Sequence, residues 1–512
     1  MNSRMPPVLR PEHPLAQPLT QLMSRFGLLS SDDLSSLSVT GVTLRSTEVQ
    51  PGDLYVGVPG AHNHGADFAE EARSAGAVAM VTDRAGAARA SGSGLPIMIA
   101  DSPRALLGEL SAWVYQTREN SQRIFGITGT NGKTSTAYIL EAILRQLGVV
   151  TGLSSTAERH IAELTVISRL TTPEASEMHA LLARMQESAV AAVAIEVSAQ
   201  ALSRNRVDAI FFDVVAFTNL SHDHLDDYVD MDEYFEAKAS LFDPVRGGRG
   251  VVSLDSSYGK RLVEVSGIPV TTVSSLGEVP GDWNVSINEE RAAWTGFTLR
   301  GPDGQSLTTR VPLIGRHMAA NAGLAVVMLV ESGYSFDEIS AKLSADGILV
   351  YLPGRTERVS GDSGPAVFVD FGHSPDAFLN TLAAVRTFTT GRVIMVFGAD
   401  GDRDATKRHE MGRVASEGSD ILIVTDHHPR FEDPESIRAT LIEGASLASH
   451  QAELFEVSPP ESAIRRAVAL AQEGDSILWA GPGHQDYRDI RGVRTPYSAR
   501  SEAREALREA GW

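Results

Sequence analysis

Apolar residues along this chain follow two rhythms. Short unbroken runs read as buried strands, and residues spaced three and four apart read as helices. The clearest instance starts at Ile124, where a short apolar run gives way to a turn through Gly129, Thr130, Asn131 and Gly132. Ile139, Leu140, Ile143, Leu144 and Leu147 then recur at helical spacing, and Gly148 supplies a stop. Upstream, residues 39–44 and 53–58 are strand-like, 67–75 helical with Gly76 to end the helix, and 77–82 a buried strand. Downstream, 193–198 and 211–220 are strands, and 246–250 reads as a loop. A β-rich patch covers 283–287, 294–299 and 307–313, with turns at 288–290 and 301–304, and Gly315 opens a helix. In the last third, strands at 366–370, 393–397, 421–425 and 476–480 are separated by helical patterns, notably 376–387 and 464–471.

Strands alternating with helices predict an α/β fold with parallel sheets. With 512 residues the chain exceeds one compact core, so several domains are expected. The pattern divides into residues 1–104, 105–348 and 349–512. Lys and Arg total 45 against 65 Asp and Glu, a net charge of −20, which argues against non-specific nucleic-acid binding. There is no cysteine, so disulfide and thiolate chemistry are excluded. No apolar stretch is long enough for membrane insertion, and the proline-bearing start lacks a signal core. A cytoplasmic location is expected.

An acidic chain that binds an anionic nucleotide must concentrate positive charge locally. Strand, glycine turn and helix N-terminus together make an anion site. In Gly129-Thr-Asn-Gly-Lys-Thr-Ser135, backbone N–H groups cradle phosphates, Lys133 bridges the outer ones, and the Thr134 hydroxyl suits Mg²⁺. Strict P-loop spacing fails, because Ile127 stands where the first glycine belongs and Gly126 lies one residue too early. Three other residues follow or occupy suggestive elements. Glu196 ends a strand, as a Mg²⁺ ligand or an ordinary strand-terminal acid; His224 follows another strand, as a ligand or a capping residue. Read alone, Lys238 is a solvated surface residue of a helix.

The motif at 128–134 resembles the Mur ligases and their folate-polyglutamate relatives. Leu170-Thr-Thr-Pro173, Glu196-Val-Ser-Ala-Gln-Ala-Leu202, Thr218-Asn-Leu-Ser-His-Asp-His-Leu-Asp226 and Glu236-Ala-Lys238 extend the resemblance to the Mur ligase family. Leu352-Pro-Gly-Arg-Thr-Glu-Arg358, Asp370-Phe-Gly-His-Ser-Pro-Asp376 and Phe397-Gly-Ala-Asp-Gly-Asp-Arg-Asp404 resemble its MurE, or tripeptide-synthetase, branch, and the likeness covers nearly the whole chain. It implies three α/β domains: a small UDP-binding domain, a central parallel-sheet P-loop-like ATPase domain with an added β patch, and a C-terminal Rossmann-like domain. It also implies ATP-dependent amide ligation in peptidoglycan precursor synthesis. ATP would phosphorylate the glutamate γ-carboxylate of UDP-N-acetylmuramoyl-L-alanyl-D-glutamate, and the amine of a diamino acid would attack the acyl phosphate.

The resemblance also implies roles. Lys133, His224, Lys238 and Arg358 would serve catalysis. Gly129, Thr130, Asn131, Gly132, Thr134, Ser135, Asn321, Arg355 and Asp370 would contact ATP. Thr134, Glu196, His224 and a carbamylated Lys238 would hold Mg²⁺. Leu44, Ser46, Ala61, His62 and Asn63 would hold the UDP portion, a segment that otherwise reads as a ligand loop or a solvated turn. Thr171, Thr172, Ser198, Arg204 and Arg206 would grip the muramoyl dipeptide.

Arg408, His427, His428, Pro429, Arg430, Gly481 and Gln485 would form the amino-acid pocket, with departures from the family pattern. His427 and His428 replace an acid and an asparagine, and Gln485 replaces a glutamate that would bind the substrate ammonium. That glutamate's charge-assisted hydrogen bond is worth roughly 1.5–3 kcal/mol. Arg430 favours diaminopimelate, while its altered neighbours admit lysine, ornithine or a shorter diamino acid. Two adjacent imidazoles are expected to point apart, against a metal site. The other functions compatible with the sequence are a sister ligase such as folylpolyglutamate synthetase, or a silent nucleotide-binding scaffold. The partners expected are small-molecule substrates, and the chain is expected to act as a monomer.

Overall fold

The computed structural model describes residues 9–60, 62–119, 121–223 and 225–512. By compactness the chain divides into two units, each assembled from separate stretches.

The first unit comprises residues 1–128, 148–215 and 240–248. Its four-stranded sheet takes the order Gly41–Thr43, Asp53–Gly57, Ala79–Thr82 and Ile97–Ile99, all parallel. The fully buried residues Leu54 and Val56 alternate along their strand into one apolar cluster, and Tyr55 and Met80 face another, so helices cover both faces. A second parallel run pairs Ala192–Glu196 with Arg123–Thr128 on one side and Thr151–Ser154 on the other. Antiparallel strands Glu158–Ile161 and Leu164–Ile167 extend it. Glu196 is the last residue of its strand, opposite Ile127.

The second unit comprises residues 129–147, 216–239 and 249–512. Its helix Lys133–Gln146 packs on Arg316–Glu331, which also covers the meander Trp283–Arg291, Trp294–Arg300 and Ser306–Val311. Residues 288–290 do not turn as expected. The strand runs on to Arg291, and an irregularity between Ile287 and Glu289 absorbs the extra residue as a bulge. The expected loop at 246–250 is also revised, because strand Gly247–Ser253 begins there. Glycine suits it: a Cβ on Gly248 would lie 3.1 Å from the Asp213 carbonyl oxygen, a tight contact that a larger residue would relieve only by a small shift.

The six-stranded sheet of the second unit has the strand order Glu357–Arg358, Ala366–Asp370, Ser476–Ala480, Val393–Phe397, Ile421–Val424 and Glu453–Glu456. All neighbours are parallel except the first pair. The four central strands have almost continuous apolar sequence because helices bury both faces. Loops leaving Val393–Phe397, Ile421–Val424 and Ser476–Ala480 therefore meet at one carboxyl edge, where open α/β sheets place their ligands. No described helix is long and apolar enough to cross a membrane.

Candidate active site

The phosphate loop is built from backbone that only glycine tolerates. Gly129 and Gly132 both have positive φ, and a Cβ on Gly132 would sit 2.8 Å from Asn321 Oδ1. Residues after strand Phe212–Phe217 hold the loop in place. Thr130 N donates to Asn219 O (2.9 Å), Asn131 N to Asn219 Oδ1 (2.9 Å), and Thr218 Oγ1 to Asn131 O (2.6 Å). Asn131 Nδ2 reaches Asp376 Oδ2 at 3.1 Å.

Hydrogen bonds to loop oxygens aim the cations of this site. Lys133 Nζ donates to the carbonyls of Gly129 and Thr130, each at 2.9 Å. Arg355 Nη2 donates to Thr134 Oγ1 at 2.9 Å and stacks its guanidinium 4.4 Å from the Phe371 ring centroid. Such contacts orient the two cations toward the glycine turn. Ser135 is buried in the first helical turn, and Asn321 faces Gly132. Asp370 is buried, with Oδ1 accepting from Thr356 N at 2.7 Å. Arg358 turns to Ser360 Oγ at 3.3 Å and to the Gly361 carbonyl.

Lys238 corrects the reading of a solvated surface residue. It is 1% exposed, donates to Gly129 O at 2.8 Å, and lies 4.5 Å from the Tyr234 ring centroid. Burial, and then the charge of Lys133, hold its pKa well below the ordinary lysine value, against a smaller opposing pull from Asp223. A buried amine with a lowered pKa gives up its proton more readily, which is what reaction with CO₂ requires.

In the first unit, Glu196 is fully buried and gripped by Thr156, whose N–H donates at 2.8 Å and hydroxyl at 3.0 Å. Thr156 also bonds Thr171 Oγ1 at 3.1 Å, and Thr172 Oγ1 donates to Glu196 O at 2.7 Å. Ser198 accepts from Ala201 N at 3.1 Å and caps a short helix. Arg206 is paired with Glu174 at 3.1 Å, while Arg204 is exposed. Leu44 packs on the apolar cluster, Ser46 opens a 3-10 turn, and His62 and Asn63 are exposed. Ala61 and His224 lie outside the described residues. Sequence reasoning missed Arg159, a buried arginine whose Nε and Nη2 meet no hydrogen-bond acceptor, 3.9 Å from Glu177. A lone arginine in an alternating strand carries no signal for this.

Three loops at the carboxyl edge of the six-stranded sheet bring the amino-acid residues together. Gly401 N donates to His428 O at 2.8 Å, and Arg430 N to Asp489 O at 3.1 Å, with Arg430 in the left-handed region. Here each arginine meets an acid. Arg408 pairs with Glu432 at 2.8 and 2.9 Å, and Arg430 with Asp400 at 3.1 Å. Lys407 meets Asp223 at 2.7 Å. The histidines do not point apart as expected: their ring centroids are 4.1 Å apart, in the loop after strand Ile421–Val424. Asp400, His427 and His428 cluster closely enough to suggest a metal. His428 is nevertheless committed. Its Nδ1 accepts from Asp489 N at 3.0 Å, which assigns the proton to Nε2, 2.8 Å from Gln485 Oε1, and leaves no lone pair for a cation. Burial, and then the neighbouring His428, push His427 down to about 3.

Comparison with known proteins identifies the family. Family models described as Mur ligase family, catalytic domain, Mur ligase middle domain, and Mur ligase, glutamate ligase domain match residues 38–115, 127–329 and 354–483. A Leifsonia xyli protein named UDP-N-acetylmuramyl-tripeptide synthetase is 59% identical over 100% of both chains. A Streptomyces avermitilis protein named UDP-N-acetylmuramoyl-L-alanyl-D-glutamate–2,6-diaminopimelate ligase is 42% identical over 98% of each. A solved diaminopimelate ligase of the same description shares the fold, with a TM-score of 0.66 at 24% identity, covering 98% of this chain and 100% of that one.

Proposed function

The chain belongs to the Mur ligase family and is an ATP-dependent ligase, and we propose that it adds a diamino acid to UDP-N-acetylmuramoyl-L-alanyl-D-glutamate to make the muramyl tripeptide. The observation that carries this reading is the phosphate loop. Lys133 donates to two loop carbonyls and Arg355 to the Thr134 hydroxyl, which aims both cations at the glycine turn where a transferring phosphoryl group would lie. The full-length similarity to a protein named as a tripeptide synthetase supports the substrate, as does the family match over the N-terminal segment.

In this reading ATP transfers its γ-phosphoryl group to the glutamate γ-carboxylate, releasing ADP and leaving an acyl phosphate. The incoming amine attacks the acyl carbon, loses a proton, and phosphate departs from the tetrahedral intermediate. Loop amides and Lys133 bind the polyphosphate, and Asn321 and Asp370 contact the nucleotide. Thr172, Ser198 and Arg206 belong to the dipeptide site. Within the second unit, Mg²⁺ suits the hard oxygens of Thr134 and of Lys238 once its amine has combined with CO₂ and lost a proton to become a carbamate. Bound there, the cation would supply charge neutralisation between phosphates and carboxylate.

The test is ADP release by the purified chain with ATP, Mg²⁺ and the UDP-dipeptide, with and without a mixture of diamino acids, followed by product mass. A tripeptide mass and dependence on both substrates are expected. ADP release indifferent to the UDP-dipeptide would contradict the assignment and favour a different ligase.

A further inference from the structure

The amino-acid pocket carries a charge pattern that bears on what it admits. A cleft beside Arg408 is lined by the cations Arg403, Lys407 and Arg408 and by the carboxylates Asp223, Asp226, Asp400 and Asp404. Three positive against four negative groups leave one net negative charge. His373, on the same wall, adds none at neutral pH, because burial, and then the charge of Lys407, hold its pKa below the ordinary value.

Of the cations able to take a second substrate carboxylate, three are already matched, and the fourth, Arg403, is exposed to solvent. Arg430 donates to Asp400 Oδ2 at 3.1 Å, Arg408 makes two bonds to Glu432, and Lys407 meets Asp223. A distal carboxylate approaching Arg430 would have to share the guanidinium with Asp400, a like charge on the same group. The acids, in contrast, are incompletely satisfied. Asp404 Oδ2 and Asp400 Oδ1 are buried and accept no hydrogen bond, the latter 3.5 Å from His427 Nε2. Burial pushes the Asp400 carboxyl up, but the adjacent His427 and His428 rings, neutral as they are, and the Arg430 guanidinium hold it below its ordinary value. Gln485 is neutral, with its oxygen engaged by His428. A buried carboxylate short of donors gains from an added positive charge nearby.

We infer that Asp400 determines specificity: paired with Arg430, it selects a diamino acid bearing an ammonium and no second carboxylate at its far end. This rests on the ligase reading above and names the substrate class for it. Asp400 acts partly through Arg430 and partly by attracting the ammonium itself.

The test compares kcat/KM for L-lysine, L-ornithine, L-2,4-diaminobutyrate and meso-diaminopimelate in UDP-dipeptide-dependent ligation by the full chain. The best monocarboxylic diamino acid should exceed meso-diaminopimelate by at least about tenfold, the scale of one lost charge-assisted contact. Asp400→Asn should narrow that ratio by about tenfold, and Asp400→Glu should restore it; a merely structural role would lower all four substrates together. Preference for meso-diaminopimelate by the unaltered chain would overturn the inference, whatever the variants do. So would an unchanged ratio in Asp400→Asn. No ligation with any amino acid would overturn the parent reading, and this one with it, whereas a reversed ranking leaves the parent reading standing.

Discussion

The phosphate loop and the amino-acid pocket both gather cations, and they treat them in opposite ways. At the loop, Lys133 and Arg355 donate to carbonyls and a hydroxyl, partners that aim a charge without cancelling it. At the pocket, Arg408, Arg430 and Lys407 each donate to a carboxylate. The first arrangement would suit a polyanion; in the second, each cation shown is matched by a carboxylate. Counting basic residues does not separate the two; the acceptor that each one faces does.

The strongest way to break this contrast is to remove the loop cation. Lys133→Ala should lower kcat for UDP-dipeptide-dependent ADP release by at least about 10³-fold, since it removes stabilisation made to the transferring phosphoryl group. Circular dichroism should remain unchanged. Turnover within tenfold of the unaltered chain would remove the loop from the chemistry.

Next in size is Lys238→Ala, expected to cost about 10²–10³-fold in kcat. If carbamylation is the reason, activity of the unaltered chain should fall in CO₂-depleted buffer and return with bicarbonate. A CO₂-indifferent enzyme would leave Lys238 as a support for Gly129 alone. Arg355→Ala comes third. Its loss frees the Thr134 hydroxyl and removes one charge, so the KM for ATP should rise about tenfold to a hundredfold, with kcat less affected. An unchanged KM would show that the Arg355 charge is not directed at the nucleotide.

The smallest effect concerns the pocket and acid stability. His427 has a folded pKa near 3 against 6.5 when unfolded. Between those values the unfolded chain binds the extra proton, so stability falls as pH drops from about 6.5 toward 3. His427→Gln should remove this contribution and flatten the acid limb of urea denaturation by at most about 1.4 kcal/mol per pH unit. An identical limb in both proteins would contradict a neutral, buried His427.

Much of this was legible in the sequence where local pattern decides structure. Strands Ala366–Asp370, Val393–Phe397 and Ser476–Ala480 fall where apolar runs place them, because burial on both faces leaves no ambiguity. The glycine turn before Lys133 was equally readable, since close backbone approach needs glycine at Gly129 and Gly132. What escaped depends on residues distant in sequence. Lys238 sits among apolar helical neighbours, a pattern shared by surface and core, and its burial comes from the Gly129 carbonyl 109 residues away. Arg430 looked like a cation awaiting a carboxylate because Asp400, its partner, lies 30 residues upstream on another strand's loop. The bulge after Ile287 imitated a turn because an Asn-Glu-Glu stretch is polar in either conformation.

The central claim is that a phosphoryl group held at the Lys133 loop passes to a carboxylate of the UDP-dipeptide. Ligation with the glutamate γ-carboxylate labelled with ¹⁸O measures this directly. One labelled oxygen should appear in the inorganic phosphate for each tripeptide formed. Phosphate free of label, with product still made, would contradict the account.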